Sequence, residues 1–226
     1  MFIEIPALFS PQEVAGIRER LEQAGWRDGT GTAGPVAAKA KSNLQLADDD
    51  PLGAEVGAAI VARLAATPRF VAAALPLRIL PPRFNCYAGG GAYGRHIDAA
   101  IFGVPGSPER VRSDLSATLF LSDPDSYDGG ELVAEFGMVR ERIKLPAGHL
   151  LLYPSNSLHQ VMPVTRGARF ASFFWIQSLV RDQTKRSVLL QLDESIQALA
   201  AIEAAGEEVV RLTGVYHNLL REWAAT

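Results

Sequence analysis

Residues 149–177, HLLLYPSNSLHQVMPVTRGARFASFFWIQ, contain three short apolar segments separated by turn residues. The segments His149–Tyr153, Gln160–Val164 and Phe170–Gln177 have the length and composition of β-strands. We expect the last two to be adjacent antiparallel strands joined through residues 165–167, TRG. Short apolar strands bounded by proline and glycine are typical of a β-sandwich or jelly roll.

The same pattern extends upstream to residue 77. It predicts four more strands: Leu77–Tyr87, Ser116–Leu121, Glu131–Phe136 and Arg140–Leu145. The breaks between them include residues 123–125, DPD, and 146–148, PAG. The segment Ala99–Ser113 contains glycine and proline but no periodicity, so we expect a long loop over one end of the core.

Both flanking regions are predicted to be mainly helical. Residues 10–13, SPQE, match a capping box with proline at the first helical position, and the acidic residues 48–50 precede a second helix that runs to about Ala66. A short strand is expected within Ala40–Leu46. Two apolar stripes at helical spacing predict a C-terminal helical hairpin: Leu189, Leu192, Ile196 and Leu199, then Val209, Leu212, Leu219 and Trp223. The fold class is therefore α+β, with an N-terminal helical region 1–76, a β-sandwich or jelly-roll core 77–178 and a C-terminal helical extension 179–226.

Composition narrows the classes of function. The chain has 226 residues, 48% of them hydrophobic and 21% charged, which is enough to form a buried core. The net charge of −3 argues against nucleic acid as a partner. The single cysteine, Cys86, excludes an internal disulfide. We find no signal peptide and no apolar run of about 20 residues, so we expect a cytoplasmic protein without a membrane partner.

Two of the four histidines stand in a pattern that suits a metal. His96 and Asp98 lie two residues apart, which places their side chains on one face of an extended chain. His159 follows a predicted strand that ends at Pro154. Two histidines and one carboxylate match the facial triad of non-haem Fe(II) oxygenases, which leaves coordination positions open. The alternative is that His96 and Asp98 form an ordinary surface pair.

Arg169 and Tyr87 are the candidates for binding a co-substrate. Arg169 lies ten residues after His159, and a guanidinium buried in the barrel would bind a carboxylate through a fork of donors. Tyr87 can add a hydrogen bond from its phenol. Two alternatives stay open: Arg169 can form a structural ion pair with Glu131 or Asp114, and Tyr87 can be a core residue.

These motifs together resemble a known family. The segment 85–98, NCYAGGGAYGRHID, then residues 129–132, GGEL, then His159 and Arg169 resemble the 2-oxoglutarate/Fe(II) dioxygenases of the prolyl-hydroxylase branch. More narrowly, the layout resembles the bacterial PKHD-type hydroxylases, whose C-terminal extension begins much as residues 179–182, LVRD, do. The resemblance covers about residues 1–223.

The resemblance implies a double-stranded β-helix with Fe(II) held by His96, Asp98 and His159. It also implies that Arg169 binds the distal carboxylate of 2-oxoglutarate, helped by Tyr87, and that L-ascorbate keeps the iron reduced. Trp175 falls where that branch has an aromatic residue near the iron, and Phe120 and Leu132 are expected as pocket walls. Phe173 departs from the family, because a small hydroxylated residue often stands at that position.

The expected activity is therefore hydroxylation of a C–H bond, with O₂ as co-substrate and a peptide proline or a small metabolite as substrate. The resembling bacterial group is associated with iron uptake. One alternative is a cupin-like or iron-responsive binding module without turnover, and another is a zinc hydrolase on the same triad. We also expect the segment Ala99–Ser113 to act as a substrate-recognition lid, and the C-terminal helices to support a homo-oligomer.

Overall fold

Two antiparallel β-sheets and five α-helices make up the part of the chain that the structure describes. The structure is a computed structural model and describes residues 2–32, 40–104, 106–202 and 206–225. The helices are α1 (Pro11–Glu22), α2 (Pro51–Ala65), α3 (Pro68–Ala74), α4 (Gln183–Ala200) and α5 (Gly206–Trp223). The strands are β1 (Ile3–Ile5), β2 (Arg27–Asp28), β3 (Lys41–Ser42), β4 (Leu44–Gln45), β5 (Pro76–Ile79), β6 (Arg83–Ala88), β7 (Ala92–His96), β8 (Ile101–Gly103), β9 (Arg110–Arg112), β10 (Leu115–Phe120), β11 (Asp128–Gly129), β12 (Leu132–Phe136), β13 (Val139–Ile143), β14 (Leu150–Pro154), β15 (Leu158–Val161), β16 (Val164–Arg166) and β17 (Ala168–Ser178).

The strands form a jelly roll of one larger and one smaller sheet. The larger sheet has the order β1-β14-β10-β17-β6-β4-β2, with β5 also paired to β17. The smaller sheet has the order β13-β12-β15-β7-β3. Two short pairs, β11 with β16 and β8 with β9, stand outside these sheets. The predicted fold class, with its C-terminal helix pair, is confirmed.

Side-chain alternation along the larger sheet separates two apolar layers. On β14, Leu150 and Leu152 face the main core, which also contains residues of α1, α2 and α3. Leu151 and Tyr153 face the other way, into a second cluster between the sheets with Tyr87. Since neighbouring strand residues point to opposite faces, the N-terminal helices cover the outside of this sheet and the inside stays available for a cavity.

The helix starts are capped as the sequence predicts. The Ser10 side chain accepts a hydrogen bond from the Glu13 backbone N–H, and the Glu13 carboxylate accepts from the Ser10 N–H. The Asp50 side chain accepts from the Gly53 N–H at the start of α2. At the other end of the chain, α4 and α5 pack around Leu75, Val180 and Leu189.

Proline divides two of the predicted strands. Leu77–Tyr87 was expected as one strand, but the chain breaks at Pro81 and Pro82 and gives β5 and β6. Gln160–Val164 breaks at Pro163 and gives β15 and β16. Proline has no N–H for the ladder and is poorly tolerated inside a strand.

The predicted hairpin between Gln160–Val164 and Phe170–Gln177 is wrong. β15 pairs with β12 and β7 in the smaller sheet, whereas β17 pairs with β10 and β6 in the larger one. The chain therefore crosses between the sheets through β16, whose partner is β11. Apolar content identifies strands but does not choose their partners.

Four strands of at least three residues occur where the sequence predicted none. Residues 101–103 and 110–112 pair as an antiparallel hairpin, so the prediction that Ala99–Ser113 is a loop without regular structure is wrong. Residues 92–96 form β7 directly after the glycine run, and residues 3–5 add β1 to the edge of the larger sheet. Region 1–76 thus contributes strands as well as helices, and the division at 76 and 178 stays a prediction.

No single helix in the described ranges is long and apolar enough to span a membrane. The pair α2 and α3, which is bent by 86°, passes that test by length and composition only.

The two-layer arrangement predicts that Leu152 on β14 stabilises the fold through the main core. Leu152→Ala should lower the free energy of unfolding by about 2–5 kcal/mol, because it leaves a cavity in the main core. Urea denaturation measures this loss, and Val139→Ala at an exposed position of β13 serves as control. A loss for Leu152→Ala as small as for Val139→Ala would contradict the proposed core.

Candidate active site

Pairing between two strands of the smaller sheet brings two histidines face to face. In the β15–β7 ladder His159 stands directly opposite His96, and their ring centroids lie 4.1 Å apart. Asp98 follows β7 by two residues, and its oxygens lie 4.0 Å from His96 Nε2 and 3.8 Å from His159 Nε2. Ligand atoms of all three residues lie within 4.8 Å of one another, a geometry that can hold a metal ion.

Hydrogen bonds to backbone carbonyls determine which ring nitrogen of each histidine can bind a metal. His96 Nδ1 lies 2.8 Å from the Gly94 carbonyl oxygen, and His159 Nδ1 lies 3.0 Å from the Ser157 carbonyl oxygen. A carbonyl oxygen can only accept, so each Nδ1 carries the proton and donates it. In the neutral form of each ring Nε2 then presents a lone pair toward Asp98, which is the arrangement that metal-binding histidines require.

The carboxylate is held by two buried serines. Ser116 Oγ donates to Asp98 Oδ2 at 2.6 Å. Because that hydroxyl has one proton, the 2.8 Å contact with Ser155 is a hydrogen bond that Ser116 accepts. This chain fixes the orientation of Asp98.

The environment keeps His96 neutral. Burial, followed by the neighbouring His159, lowers the pKa of His96 to about 4. Tyr93 stacks on the His96 ring at 3.7 Å, and Tyr153 meets His159 edge-on at 5.2 Å. The imidazoles are thus held in place, and at neutral pH His96 can bind a metal without first losing a proton.

Arg169 is the largest fully buried side chain of the described residues, with 1% of its surface exposed. Its Nε and Nη1 atoms have no hydrogen-bond partner among those residues. The two ion pairs that the sequence left open are not formed: Glu131 pairs with Arg142, and Asp114 with Arg112. Burying a guanidinium whose N–H donors have no acceptor costs free energy. Arg169 therefore favours the binding of an anion at this position.

Two aromatic rings frame Arg169. Tyr87 stands opposite it in the β17–β6 ladder, with the ring centroid 5.5 Å from the guanidinium carbon, and Phe120 lies 5.2 Å away. Burial raises the pKa of Tyr87 to about 12, so its hydroxyl keeps its proton. Gly130, at φ 67°, lies against the Arg169 stem, where a Cβ would come within 3.0 Å of Cδ. The glycine pair at 129–130 thus makes room for the arginine.

One cavity of about 400 Å³ contains the triad and Arg169. Its lining includes Leu132, Phe173 and Trp175 from the sequence-derived candidates, whereas Phe120 contacts Arg169 without lining the cavity. Among the described lining residues, Lys41, Arg83 and Arg169 are basic and Asp98 is the one carboxylate, and Arg83 also pairs with Asp48 outside this lining. The cavity therefore attracts an anionic small molecule as well as a metal.

Sequence reasoning missed Ser116, Ser155 and Lys41. Ser116 and Thr118 are polar residues on an otherwise apolar strand, and this alternation was the available signal. Lys41 lies in a short strand whose position in the cavity depends on pairing with β7. Burial, with the charge of Arg83 second, lowers the pKa of Lys41 to about 8.

Comparison with known proteins shows the family. The 2OG-Fe(II) oxygenase superfamily profile matches residues 82–177, and that of the PKHD-type hydroxylase C-terminal domain matches residues 183–225. A PKHD-type hydroxylase of Parvibaculum lavamentivorans is 55% identical over 226 residues, which is 100% of both chains. The chain belongs to the PKHD-type hydroxylases. The PKHD-type hydroxylase PiuC of Pseudomonas aeruginosa is 56% identical over 224 residues, with 99% of each chain covered.

Solved structures confirm the fold of this PKHD-type hydroxylase. A Pseudomonas putida prolyl-4-hydroxylase has a TM-score of 0.54 at 20% identity, covering 78% of this chain and 92% of that one. A Trichoplax adhaerens prolyl hydroxylase in complex with a hypoxia inducible factor peptide fragment has a TM-score of 0.53 at 17% identity, covering 83% and 86%. The resemblance inferred from the motifs is thus confirmed, and the enzyme is a hydroxylase that acts with 2-oxoglutarate and Fe(II).

The hydrogen bond from Ser116 to Asp98 predicts a measurable effect on the metal. In Ser116→Ala the carboxylate loses its fixed orientation, and metal affinity should fall by about 10–100-fold. Titration with Mn²⁺, followed by electron paramagnetic resonance, measures this affinity. Ser195→Ala, at an exposed serine of α4, should leave it unchanged; equal affinities for both variants would show that Ser116 does not position Asp98.

Proposed function

We propose that His96, Asp98 and His159 hold the Fe(II) of this PKHD-type hydroxylase. The observation that carries the proposal is the convergence of two Nε2 lone pairs on one carboxylate, with both Nδ1 protons donated to backbone carbonyls. Two neutral imidazoles and one carboxylate on one face suit Fe(II) and leave the opposite positions open. Ser116 keeps Asp98 oriented toward both histidines.

We also propose that Arg169 binds the distal carboxylate of 2-oxoglutarate. The guanidinium keeps unpartnered donors at Nε and Nη1, and two parallel N–H groups of a guanidinium form a fork that matches a carboxylate. Tyr87, protonated and directly opposite on β6, can donate a third hydrogen bond. Burial of this pair excludes water and strengthens the charge interaction.

The reaction that follows is hydroxylation of a C–H bond of the primary substrate. When bound, Fe(II) would supply open coordination positions and activate O₂, which is the oxidant for both 2-oxoglutarate and the C–H bond. In the overall balance, one oxygen atom of O₂ enters the new hydroxyl group and the other enters succinate, while 2-oxoglutarate loses CO₂. The apolar walls Leu132 and Trp175 limit access of water. A peptide proline and a small metabolite both stay open as substrate.

The rival functions have weaker support. Among the described residues, Arg169 is buried and has no acidic partner. A metal-binding module without turnover would not need such a guanidinium. A zinc hydrolase needs a general base beside the metal. The carboxyl groups of Glu131 and Asp114, which flank the core strands, are instead paired with arginines.

Four further elements belong to this proposal. L-ascorbate as reductant and a cytoplasmic location follow from the resemblance and from the composition of the chain. Homo-oligomerisation through the C-terminal helices is supported by Val210 and Val215, which are exposed on α5. A role of the β8–β9 hairpin as substrate lid is supported by Phe102, which lines the catalytic cavity.

Removal of one triad histidine tests the iron site. His159→Ala should abolish both Fe(II) binding and succinate formation, because one of three ligands is lost. The measurement is the weak visible charge-transfer band with Fe(II) and 2-oxoglutarate under anaerobic conditions, together with succinate assay. His149→Ala, at a histidine bonded to Glu4 on the surface, is the matched control. Normal metal affinity in His159→Ala would refute the triad.

Truncation of Arg169 tests the co-substrate site separately. Arg169→Ala should leave Fe(II) binding nearly intact. The affinity for 2-oxoglutarate should fall by about tenfold or more, since truncating one partner of a buried charge pair costs about 2–5 kcal/mol. Titration of the charge-transfer band gives the affinity. Arg166→Ala, an exposed arginine paired with Asp128, should behave as wild type. Unchanged affinity in Arg169→Ala would mean that Arg169 is structural.

A further inference from the structure

A second cavity, which we call the α2 cleft, adjoins the catalytic one. It has a volume of about 710 Å³ and lies between α2, the turn at Pro81–Pro82 and the β8–β9 hairpin. Arg83, Phe102 and Trp175 line both cavities. Phe102 stacks on Trp175 with ring centroids 4.0 Å apart, so these rings form the shared wall. The two cavities are therefore immediate neighbours on either side of one aromatic pair.

The described lining of the cleft is largely apolar. Among those lining residues the charged ones are Asp48 and Arg83, and Arg83 Nη2 lies 2.7 Å from Asp48 Oδ2. The face of α2 that lines it consists largely of small residues, including Gly53, Gly57 and Ala58. Such a surface favours an uncharged apolar occupant.

The backbone around the cleft is unsuited to a peptide. Pro81 and Pro82 have no N–H to donate. The N–H groups of Leu46, Leu80 and Val104 already donate to the carbonyls of Phe84, Trp175 and Glu109. A bound peptide would find these N–H groups already engaged and would leave carbonyl groups of its own without donors, which is costly in an apolar site. A hydrocarbon chain has no such groups.

We infer that the α2 cleft binds a hydrocarbon portion of the primary substrate while the reacting C–H bond lies at the triad. This inference rests on the proposed function, because it takes the triad as the place of reaction. The substrate class it assigns is a small molecule with an alkyl or acyl chain. Specificity then depends on α2 and the shared aromatic wall as well as on the triad.

The experiment uses octan-1-ol as probe and the full chain loaded with Mn²⁺ in place of iron. Mn²⁺ is paramagnetic, so it speeds the relaxation of probe protons according to their distance from the metal. We expect saturable relaxation of octan-1-ol, graded along the chain with one end nearest the metal. Electron paramagnetic resonance first establishes that Mn²⁺ is bound and that His159→Ala does not bind it. Absence of Mn²⁺ binding would overturn the proposed function, whereas bound Mn²⁺ without graded relaxation would overturn the cleft.

Neighbouring alanines of α2 provide a matched pair of variants. Ala58 lines the cleft and Ala59 does not, although both are exposed. Ala58→Phe should fill the cleft and lower the affinity for octan-1-ol by about tenfold or more. The affinity of Ala59→Phe should stay within about twofold of wild type. If Ala58→Phe does not fold, Ala54→Phe at another exposed lining position takes its place. Equal affinity in the two variants would overturn the assignment.

A competition experiment distinguishes a hydrocarbon occupant of the α2 cleft from a peptide occupant. Octan-1-ol and a capped apolar peptide of similar length, such as acetyl-Ala-Pro-Leu-amide, are added in turn to protein that holds Nile red, an uncharged apolar dye. Displacement of the dye by octan-1-ol but not by the peptide supports a hydrocarbon. Displacement by the peptide alone would overturn that class in favour of a peptide substrate.

Discussion

The β7–β15 ladder is the constraint on which the active site depends. It sets His96 opposite His159, although these two residues are 63 positions apart in the sequence. Because the rings meet across a ladder, their separation is set by strand spacing rather than by flexible loops. The carbonyls of Gly94 and Ser157 then fix the tautomers, and Ser116 on the opposite sheet fixes Asp98. The smaller sheet thus supplies the histidines, and the larger sheet orients the carboxylate.

Arg169 depends on the same arrangement of sheets. It lies on β17 beside Tyr87, at the end of the cavity away from the β8–β9 hairpin, and no carboxylate of the described residues compensates it. The fold accepts an unpaired buried charge here, which lowers stability in the absence of an anion. A dicarboxylate co-substrate that binds only the folded state would therefore stabilise the protein as well as take part in the reaction. In the proposed function, stability and co-substrate binding are therefore linked through Arg169.

In the proposed function, the catalytic cavity holds the co-substrate and the α2 cleft holds part of the substrate. Along β6, the side chains of Tyr87, Asn85 and Arg83 line the catalytic cavity in succession, from the Arg169 end to the wall shared with the α2 cleft. At about 3.3 Å per residue, Tyr87 and Arg83 are separated by about 13 Å along the strand. This separation leaves room for 2-oxoglutarate at one end and for the primary substrate at the other. The N-terminal helices, which cover the outer core, therefore also border the substrate side.

The sequence by itself determined the fold class, the helix starts and the choice of candidate site residues. The capping box at Ser10, the triad of His96, Asp98 and His159, and the choice of Arg169 depend on residue type and local spacing, which are properties of the chain. Only the tertiary structure decided which strands pair. Gln160–Val164 and Phe170–Gln177 look like a local hairpin, yet β15 and β17 lie in different sheets. Strand partners depend on contacts between residues far apart in the chain, so local pattern could not reveal the Ser116–Asp98 hydrogen bond, the position of Lys41 or the α2 cleft.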